Sequence, residues 1–114
     1  MPFLLIKTNI PLDKTMRETV LNQASTVIAR TTGKPEKFIM VNVCSGEDLL
    51  FGAKSAPAVY MEMKSVGLSQ GLVPVLSKAL TEMIESRLQV PGNRIYIEFS
   101  SVPGHMWGYN GTTF

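Results

Sequence analysis

The sequence predicts a two-layer α/β (α+β) domain in which a duplicated β-α-β unit forms a four-stranded sheet with two helices on one face. Two observations support this fold. The chain has 114 residues, which is near the commonest size of a single domain. Its apolar pattern also repeats when the sequence is shifted by 56 positions. We therefore expect one domain over 1–114, composed of pseudo-repeats 1–56 and 57–112.

Two segments carry apolar residues every three or four positions, which is typical of one face of a helix. They are Met16, Val20, Ala24, Val27 and Ile28, and Leu72, Leu76, Leu80, Met83 and Ile84. Alternating apolar residues predict strands in both halves. The repeat aligns Ile39, Val41 and Val43 with Ile95, Ile97 and Phe99, and Phe3 and Leu5 with Val59 and Met61.

Capping residues, glycine and proline predict where the helices begin and end. Thr15 followed by Glu18 is a capping-box pattern that predicts the start of the first helix. Gly33 predicts its end near Thr32, and Pro74 fits the first turn of a second helix that ends near Leu88. The expected strands are 3–8, 38–44, 58–66 and 94–100. A strand-helix-strand unit of this length favours parallel pairing within each unit.

Apolar residues occupy both faces of the expected sheet. We place Leu4, Ile6, Tyr60, Val66 and Tyr96 on the face opposite Phe3, Leu5, Val59, Met61 and Ile95. Because the two helices cover only one face, an apolar second face indicates a partner surface, and we expect an oligomer.

Two segments lie outside the repeat. The loop 47–56 contains Leu49-Leu50-Phe51-Gly52, a candidate short strand. The tail 102–114 is rich in glycine and aromatic residues, and Asn110-Gly111 is a strong turn signal. From composition alone the tail fits two arrangements equally well: a hairpin on a neighbouring chain, or a flap that closes on its own core.

Composition argues against several classes of function. The net charge of +2 with scattered Lys and Arg does not favour a nucleic-acid partner. The lone Cys44 excludes an internal disulfide, and a single histidine, His105, does not favour a zinc site. No apolar run is long enough to cross a bilayer, so we expect no membrane insertion. The start of the chain lacks the pattern of a signal peptide, and no cofactor motif occurs.

Pro2 is the candidate general base. If Met1 is removed, the Pro2 nitrogen becomes a secondary amine. Burial, and a nearby cation such as Lys34, would lower its pKa below the roughly 7.7–8.0 of an ordinary α-amino group. A neutral amine near pH 7 can accept a proton. On the residues alone, a proline after Met1 fits a processed chain start more simply than a catalytic group.

Several short motifs together resemble the macrophage migration inhibitory factor and D-dopachrome tautomerase family. They are Met1-Pro2-Phe3-Leu4, Thr8-Asn9-Ile10-Pro11, Thr32-Gly33-Lys34-Pro35, Phe51-Gly52, Ser65-Val66-Gly67, Arg94-Ile95-Tyr96-Ile97 and Gly108 to Phe114. The resemblance spans the whole chain. It implies the tautomerase fold, a homotrimer with sites between subunits, and cofactor-free keto-enol tautomerisation of phenylpyruvate-type 2-keto acids and dopachrome.

The resemblance also implies roles for individual residues. Pro2 is the general base and Lys34 binds the substrate carboxylate, although as residues alone Lys34 fits a solvated helix-end cation. Tyr96 comes from the neighbouring subunit, although on its own it fits an ordinary strand aromatic. Ser65 and Val66 match the strand end whose backbone flanks the substrate. Trp107, Tyr109 and Phe114 match the apolar wall of the pocket.

Three features depart from the mammalian cytokine or bear on activity. Glu98 replaces an asparagine, and a carboxylate near Pro2 would raise the pKa of that base, so we expect Glu98→Asn to lower the pKa of the rate profile. Ala58-Val59-Tyr60-Met61 replaces a Cys-x-x-Cys motif, so thiol-disulfide activity is not expected. A retained Met1 would leave Pro2 as an amide, which is not a base.

Two other functions remain open at this stage. The family implies a cytokine-like signalling protein, cytoplasmic and secreted without a signal peptide. Its receptors would be the MHC class II invariant chain and chemokine receptors, and its tautomerase activity would be vestigial. A structural trimer without a working site is the third alternative.

Overall fold

Four strands form one mixed sheet, and two helices cover one of its faces. The computed structural model describes residues 1–114. The elements are β1 (Pro2–Thr8), α1 (Lys14–Thr32), β2 (Met40–Cys44), β3 (Val59–Val66), α2 (Leu72–Leu88), β4 (Ile95–Val102), β5 (Gly108–Tyr109) and β6 (Thr112–Thr113). The sheet order is β2-β1-β3-β4, and β5 pairs with β6 in a separate hairpin. This arrangement confirms the predicted fold class.

Pairing within the sheet follows the two β-α-β units. β1 is parallel to β2 and β3 is parallel to β4, whereas β1 and β3 are antiparallel at the centre. Because each parallel pair is joined by a helix, α1 and α2 lie on the same face and pack on each other as well as on the sheet.

The helix ends show one correct and one wrong boundary prediction. Gly33 ends α1 in the left-handed conformation at φ 71°, and its N–H donates to the Ala29 carbonyl, as the sequence predicted. The start is earlier than the predicted Thr15. Asp13 caps the helix, because its carboxylate accepts the Met16 N–H at 2.8 Å. A carboxylate two residues upstream thus provides the cap instead of the Thr15 hydroxyl.

The predicted faces of β1 are wrong. Leu4 and Ile6 are fully buried under the helices, where they pair with Met63 and Met61. Phe3 and Leu5 lie on the opposite face, beside Lys64 and Glu62. The cause is visible in the sequence: four consecutive apolar residues, Phe3 to Ile6, give no alternation from which to choose a face. The shift of 56 therefore aligned β1 with β3 one residue out of register.

The helix stripes and the other strands supply the core as predicted. The buried apolar cluster consists of Leu4, Ile6, Val20, Ala24, Ile28, Val59, Met61, Met63, Leu68, Leu76, Leu80, Met83, Ile84, Val90 and Ile95. Val41, Val43, Ile97 and Phe99 are partly buried against it. No helix is long and apolar enough to cross a membrane.

The face of the sheet away from the helices, here called the open face, carries both apolar and charged side chains. Its residues include Phe3, Leu5, Lys7, Tyr60, Glu62, Lys64, Tyr96 and Glu98. Tyr96 is 63% exposed. Neither helix covers this face, and only the loop around Phe51 packs on it, at Tyr96.

The corrected register predicts which β1 side chain stabilises the monomer fold. Ile6→Ala should lower the free energy of unfolding by about 2–5 kcal/mol, because it leaves a cavity under the helices. Val75→Ala, at a half-exposed site on α2, should change it by less than about 0.5 kcal/mol. Urea unfolding at one fixed protein concentration would measure both. Equal losses would contradict the assigned faces.

Candidate functional site

A pocket of about 330 Å³ lies at the end of the sheet where β1 begins. It is lined by Met1, Lys34, Pro35, Phe38, Val66, Tyr109 and Phe114. We call it the Lys34 pocket. It combines a lysine and an N-terminal amine with aromatic walls, so it offers cationic and apolar contacts to one small molecule.

The end of α1 places Lys34 in this pocket. The left-handed Gly33 reverses the chain after the helix, and the Lys34 N–H then donates to the Thr32 hydroxyl at 3.2 Å. The Lys34 ammonium donates to the Val66 carbonyl at 3.0 Å, which anchors it to the end of β3. The single ion pair of the chain joins Lys64 and Glu62. Lys34 therefore has no carboxylate partner and keeps donors free for an acid.

The N-terminal amine of Met1 lies beside that ammonium. Burial lowers the pKa of the amine below its ordinary value, and the positive charge and hydrogen bonding of Lys34 lower it further. The Met1 amine is therefore biased towards its neutral, proton-accepting form. The same two causes were expected for the Pro2 nitrogen, which is a peptide nitrogen as long as Met1 is present.

Aromatic rings form the wall of the pocket opposite Lys34. Tyr109 meets the Phe38 ring edge-on at 5.5 Å between centroids and stacks on Phe114 at 5.8 Å. The Phe114 N–H donates to the Gly104 carbonyl at 3.1 Å, which closes the β5-β6 hairpin onto the preceding turn. Within one chain the tail thus packs against its own fold. Of the two arrangements that composition left open, this is the flap.

Trp107 and Pro2 line a second cavity next to the Lys34 pocket. This cavity, about 240 Å³, shares Met1, Phe38 and Tyr109 with it. The Pro2 ring itself is buried on the helix face of β1. Met1 thus borders both cavities, and removing it would join the Pro2 nitrogen to the Lys34 pocket.

Ser65 lies apart from the pocket lining. It is fully buried under the helices, and its hydroxyl donates to the Val66 carbonyl at 3.3 Å. Of the two predicted backbone flanks, only Val66 borders the pocket. Sequence reasoning missed Phe38, which was assigned to a strand. It ends the short 3-10 helix Glu36–Phe38, and the preceding Gly33 and Pro35 were the available signals of a turn there.

Tyr96 lies near the other end of the sheet, and Glu98 lies near the middle of β4. Tyr96 pairs with Tyr60, whereas Pro2 pairs with Ser65, five residues along β3. At about 3.3 Å per residue this separation is about 17 Å. Tyr96 borders a different pocket of about 400 Å³, together with Leu49, Leu50, Phe51, Gly52, Val59 and Tyr60. We call it the Tyr96 pocket.

Glu98 bonds to Tyr60 on the open face. Its carboxylate accepts the Tyr60 hydroxyl at 3.0 Å, and Glu62 lies directly across the parallel pair. Desolvation, followed by these two carboxylates, raises the pKa of Tyr60 to about 12. Within one chain Glu98 is remote from Pro2, so an effect on that base requires another subunit. No cluster of three or more His, Cys, Asp or Glu side chains could hold a metal ion.

The fold and the Lys34 pocket define a class of small α+β proteins. In this class the first strand begins beside a pocket that has a lysine and aromatic walls. The sequence matches the macrophage migration inhibitory factor (MIF) family over residues 1–114. The chain belongs to this family. Membership supports a tautomerase-like or cytokine-like function in general.

Individual relatives match over nearly their full lengths. The macrophage migration inhibitory factor homolog of Trichuris trichiura is 35% identical over all of both chains. That of Brugia malayi is 32% identical over 100% of this chain and 99% of its own. The crystal structure of the homologue from Prochlorococcus marinus is 34% identical, covers 98% of each chain and superposes with a TM-score of 0.92.

The Tyr60–Glu98 contact can be tested by titration. Glu98→Gln should lower the pKa of Tyr60 from about 12, because the neutral phenol loses a charged acceptor. It should stay above the ordinary value of about 10, because burial remains the main cause. NMR of ring-labelled tyrosine, with Tyr60→Phe to assign the signal, would measure it. The exposed Glu47→Gln is the control, and an unchanged Tyr60 titration in Glu98→Gln would refute the contact.

Proposed function

We propose that this protein is a cofactor-free keto-enol tautomerase of phenylpyruvate-type 2-keto acids and dopachrome, with Pro2 as its general base once Met1 is removed. The main observation in support is that the Met1 amine, one residue before Pro2, has a lowered pKa next to the unpaired cation Lys34 in an aromatic-walled pocket. The family match supports the reaction class.

The reaction moves one proton and changes no oxidation state. In ketonisation, the neutral Pro2 nitrogen takes the enol O–H proton and leaves an enolate. The C=C electron pair of the enolate then takes the proton from the Pro2 ammonium to form a C–H bond, as an oxygen lone pair forms the C=O bond, and the neutral amine is restored. The reverse sequence enolises the ketone. A base with a pKa near the working pH suits both transfers.

Two groups orient the substrate in this proposal. Lys34 binds the carboxylate, for which it has free N–H donors. Phe38, Tyr109 and Phe114 pack on the aromatic ring at the opposite wall. A pocket of about 330 Å³ has the size of small-molecule sites.

The complete site is proposed to form between subunits of a homotrimer. In its own chain Tyr96 is separated from Pro2 by about 17 Å along the strands and by the intervening strand β3, so one chain cannot bring both to one substrate. The Tyr96 pocket of one subunit would instead close the Lys34 pocket of the next. Glu98, two residues along the same face of β4, would arrive with Tyr96. The uncovered open face, with its exposed apolar side chains, supports association.

Activity and its dependence on Pro2 test the proposal directly. Protein whose mass shows that Met1 is absent should ketonise the enol of phenylpyruvate, followed by absorbance. Pro2→Gly should lower kcat/KM by about 10²–10⁴-fold, the usual contribution of a positioned base. Pro11→Gly, in the exposed loop before α1, should retain activity. No activity in the Met1-free protein would overturn the enzyme proposal.

Substitution of Lys34 should have two effects that can be measured separately from the loss of Pro2. Lys34→Met should raise KM for phenylpyruvate about tenfold or more, because a charge-assisted contact to the carboxylate is lost. It should also move the acid limb of the rate profile to higher pH, because removing a cation favours the protonated amine and raises its pKa.

Two controls isolate these effects. Lys78→Met, at an exposed site on α2, should change neither KM nor the profile. For a substrate with its carboxylate esterified, Lys34→Met should leave KM nearly unchanged, whereas the shift of the acid limb should persist. A profile unchanged by Lys34→Met would show that Lys34 does not act on the base.

The family match supports a second candidate function, cytokine-like signalling. In this proposal the protein is cytoplasmic and is also released without a signal peptide. It binds a cell-surface receptor, either the MHC class II invariant chain or a chemokine receptor. A Pro2→Gly variant that loses tautomerase activity but binds receptor with unchanged Kd would separate signalling from catalysis.

A further inference from the structure

Arg94 ties together a loop that has little regular structure of its own. Its guanidinium donates four hydrogen bonds, all to main-chain carbonyls. The acceptors are Phe51 at 3.0 Å, Lys54 at 3.2 Å, Ala56 at 2.9 Å and Pro57 at 3.0 Å. The only β-bridge in this segment joins Phe51 and Lys54 in place of the predicted strand over 49–52. Arg94 thus supplies the order that a ladder of strand pairs would otherwise provide.

The same side chain reaches Tyr96 through one aromatic ring. The Arg94 guanidinium carbon lies 5.0 Å from the centroid of Phe51. Phe51 in turn packs on Tyr96 at 4.6 Å between ring centroids, with the planes tilted by 37°. The Tyr96 ring is otherwise 63% exposed. Phe51 is therefore the ring that packs on Tyr96 from the loop and links it to Arg94.

We propose that Arg94 is a positioning residue for the tautomerase site: it fixes the 51–57 loop and Phe51, and through Phe51 it holds the Tyr96 ring ready for the substrate of the neighbouring subunit. This inference rests on the proposed function. Within its own chain Arg94 borders neither cavity that holds Met1 and Pro2. Because Arg94→Lys also keeps the positive charge, it should act on substrate binding and leave the proton-transfer base unaffected.

The chemistry of the clamp requires arginine. A planar guanidinium presents five N–H donors in a fixed fork and stacks on an aromatic face, whereas a lysine ammonium offers three donors at one point. The loop needs such a clamp because Gly52 and Ala53 both adopt positive φ, 61° and 60°, in its tight turn. Asn9 holds the C-terminal end of the loop through Ser55, Ala56 and Ala58, so this end keeps its anchor when Arg94 is changed.

Steady-state kinetics on phenylpyruvate test the inference. Arg94→Lys should raise KM about tenfold, the scale of one lost aromatic contact, with kcat and the acid limb of the pH profile unchanged. Phe51→Leu, which keeps Arg94 and removes the intervening ring, should reproduce this split. Arg87→Lys, exposed near the end of α2, should match the parent protein. Circular dichroism and sedimentation would confirm that each variant is folded and assembled.

A double-mutant cycle separates positioning from general loop stability. In a Tyr96→Ala background, Arg94→Lys should change KM by less than about twofold, because the ring on which it acts is gone. Independent effects of the two substitutions, or a fall in kcat equal to the rise in KM, would overturn the inference. If Arg94→Lys does not fold, the same cycle with Phe51→Leu decides the question. Activity in the parent protein and its loss in Pro2→Gly test the proposed function independently of both results.

Discussion

The antiparallel pairing of β1 with β3 at the centre of the sheet is the constraint on which the rest of the molecule depends. It places Pro2 beside Ser65 and brings the start of the chain to the end of β3. Lys34 reaches the same point from α1 through its hydrogen bond to Val66. A shift of β1 by one residue would exchange its buried and open faces, and would withdraw Leu4 and Ile6 from the core. Core packing and pocket geometry are therefore set by one register.

The same sheet separates two groups of functional residues. One end holds the amine, Lys34 and the aromatic wall, and the other holds Tyr96 and the loop clamped by Arg94. The separation of the two groups along the sheet is fixed, because five residues of an extended strand have a nearly constant rise per residue. The chain therefore carries two incomplete halves of the proposed site. The open face between them combines apolar side chains with the bonded pair Tyr60 and Glu98.

The sequence predicted elements whose polar and apolar residues contrast clearly. The helix stripe of Val20, Ala24 and Ile28 has only one burial face, so the two helices and their ends near Gly33 and Leu88 were predictable. The strand β1 was predicted as well, but its buried and open faces were not, because every residue from Phe3 to Ile6 is apolar.

The site residues also divide into those that were predicted from the sequence and those that were not. Lys34 next to an N-terminal amine was predicted from chain chemistry combined with the family resemblance. Phe38 and Arg94 were missed because their contacts are long-range. Arg94 acts on carbonyls about forty residues earlier in the chain, and no local pattern encodes such a pairing. The Asp13 cap was overlooked because two cap residues compete within three positions.

The placement of the two half-sites at opposite ends of one sheet has a genetic consequence. In the proposed ring, each pocket uses the base of one subunit and the tyrosine of another. A chain defective at its Pro2 end and a chain defective at its Tyr96 end would each form an inactive assembly. Coassembled, they would create a junction between an intact Lys34 pocket and an intact Tyr96 pocket. Two null alleles of this gene, each altered at a different end of the sheet, would therefore complement each other in one cell.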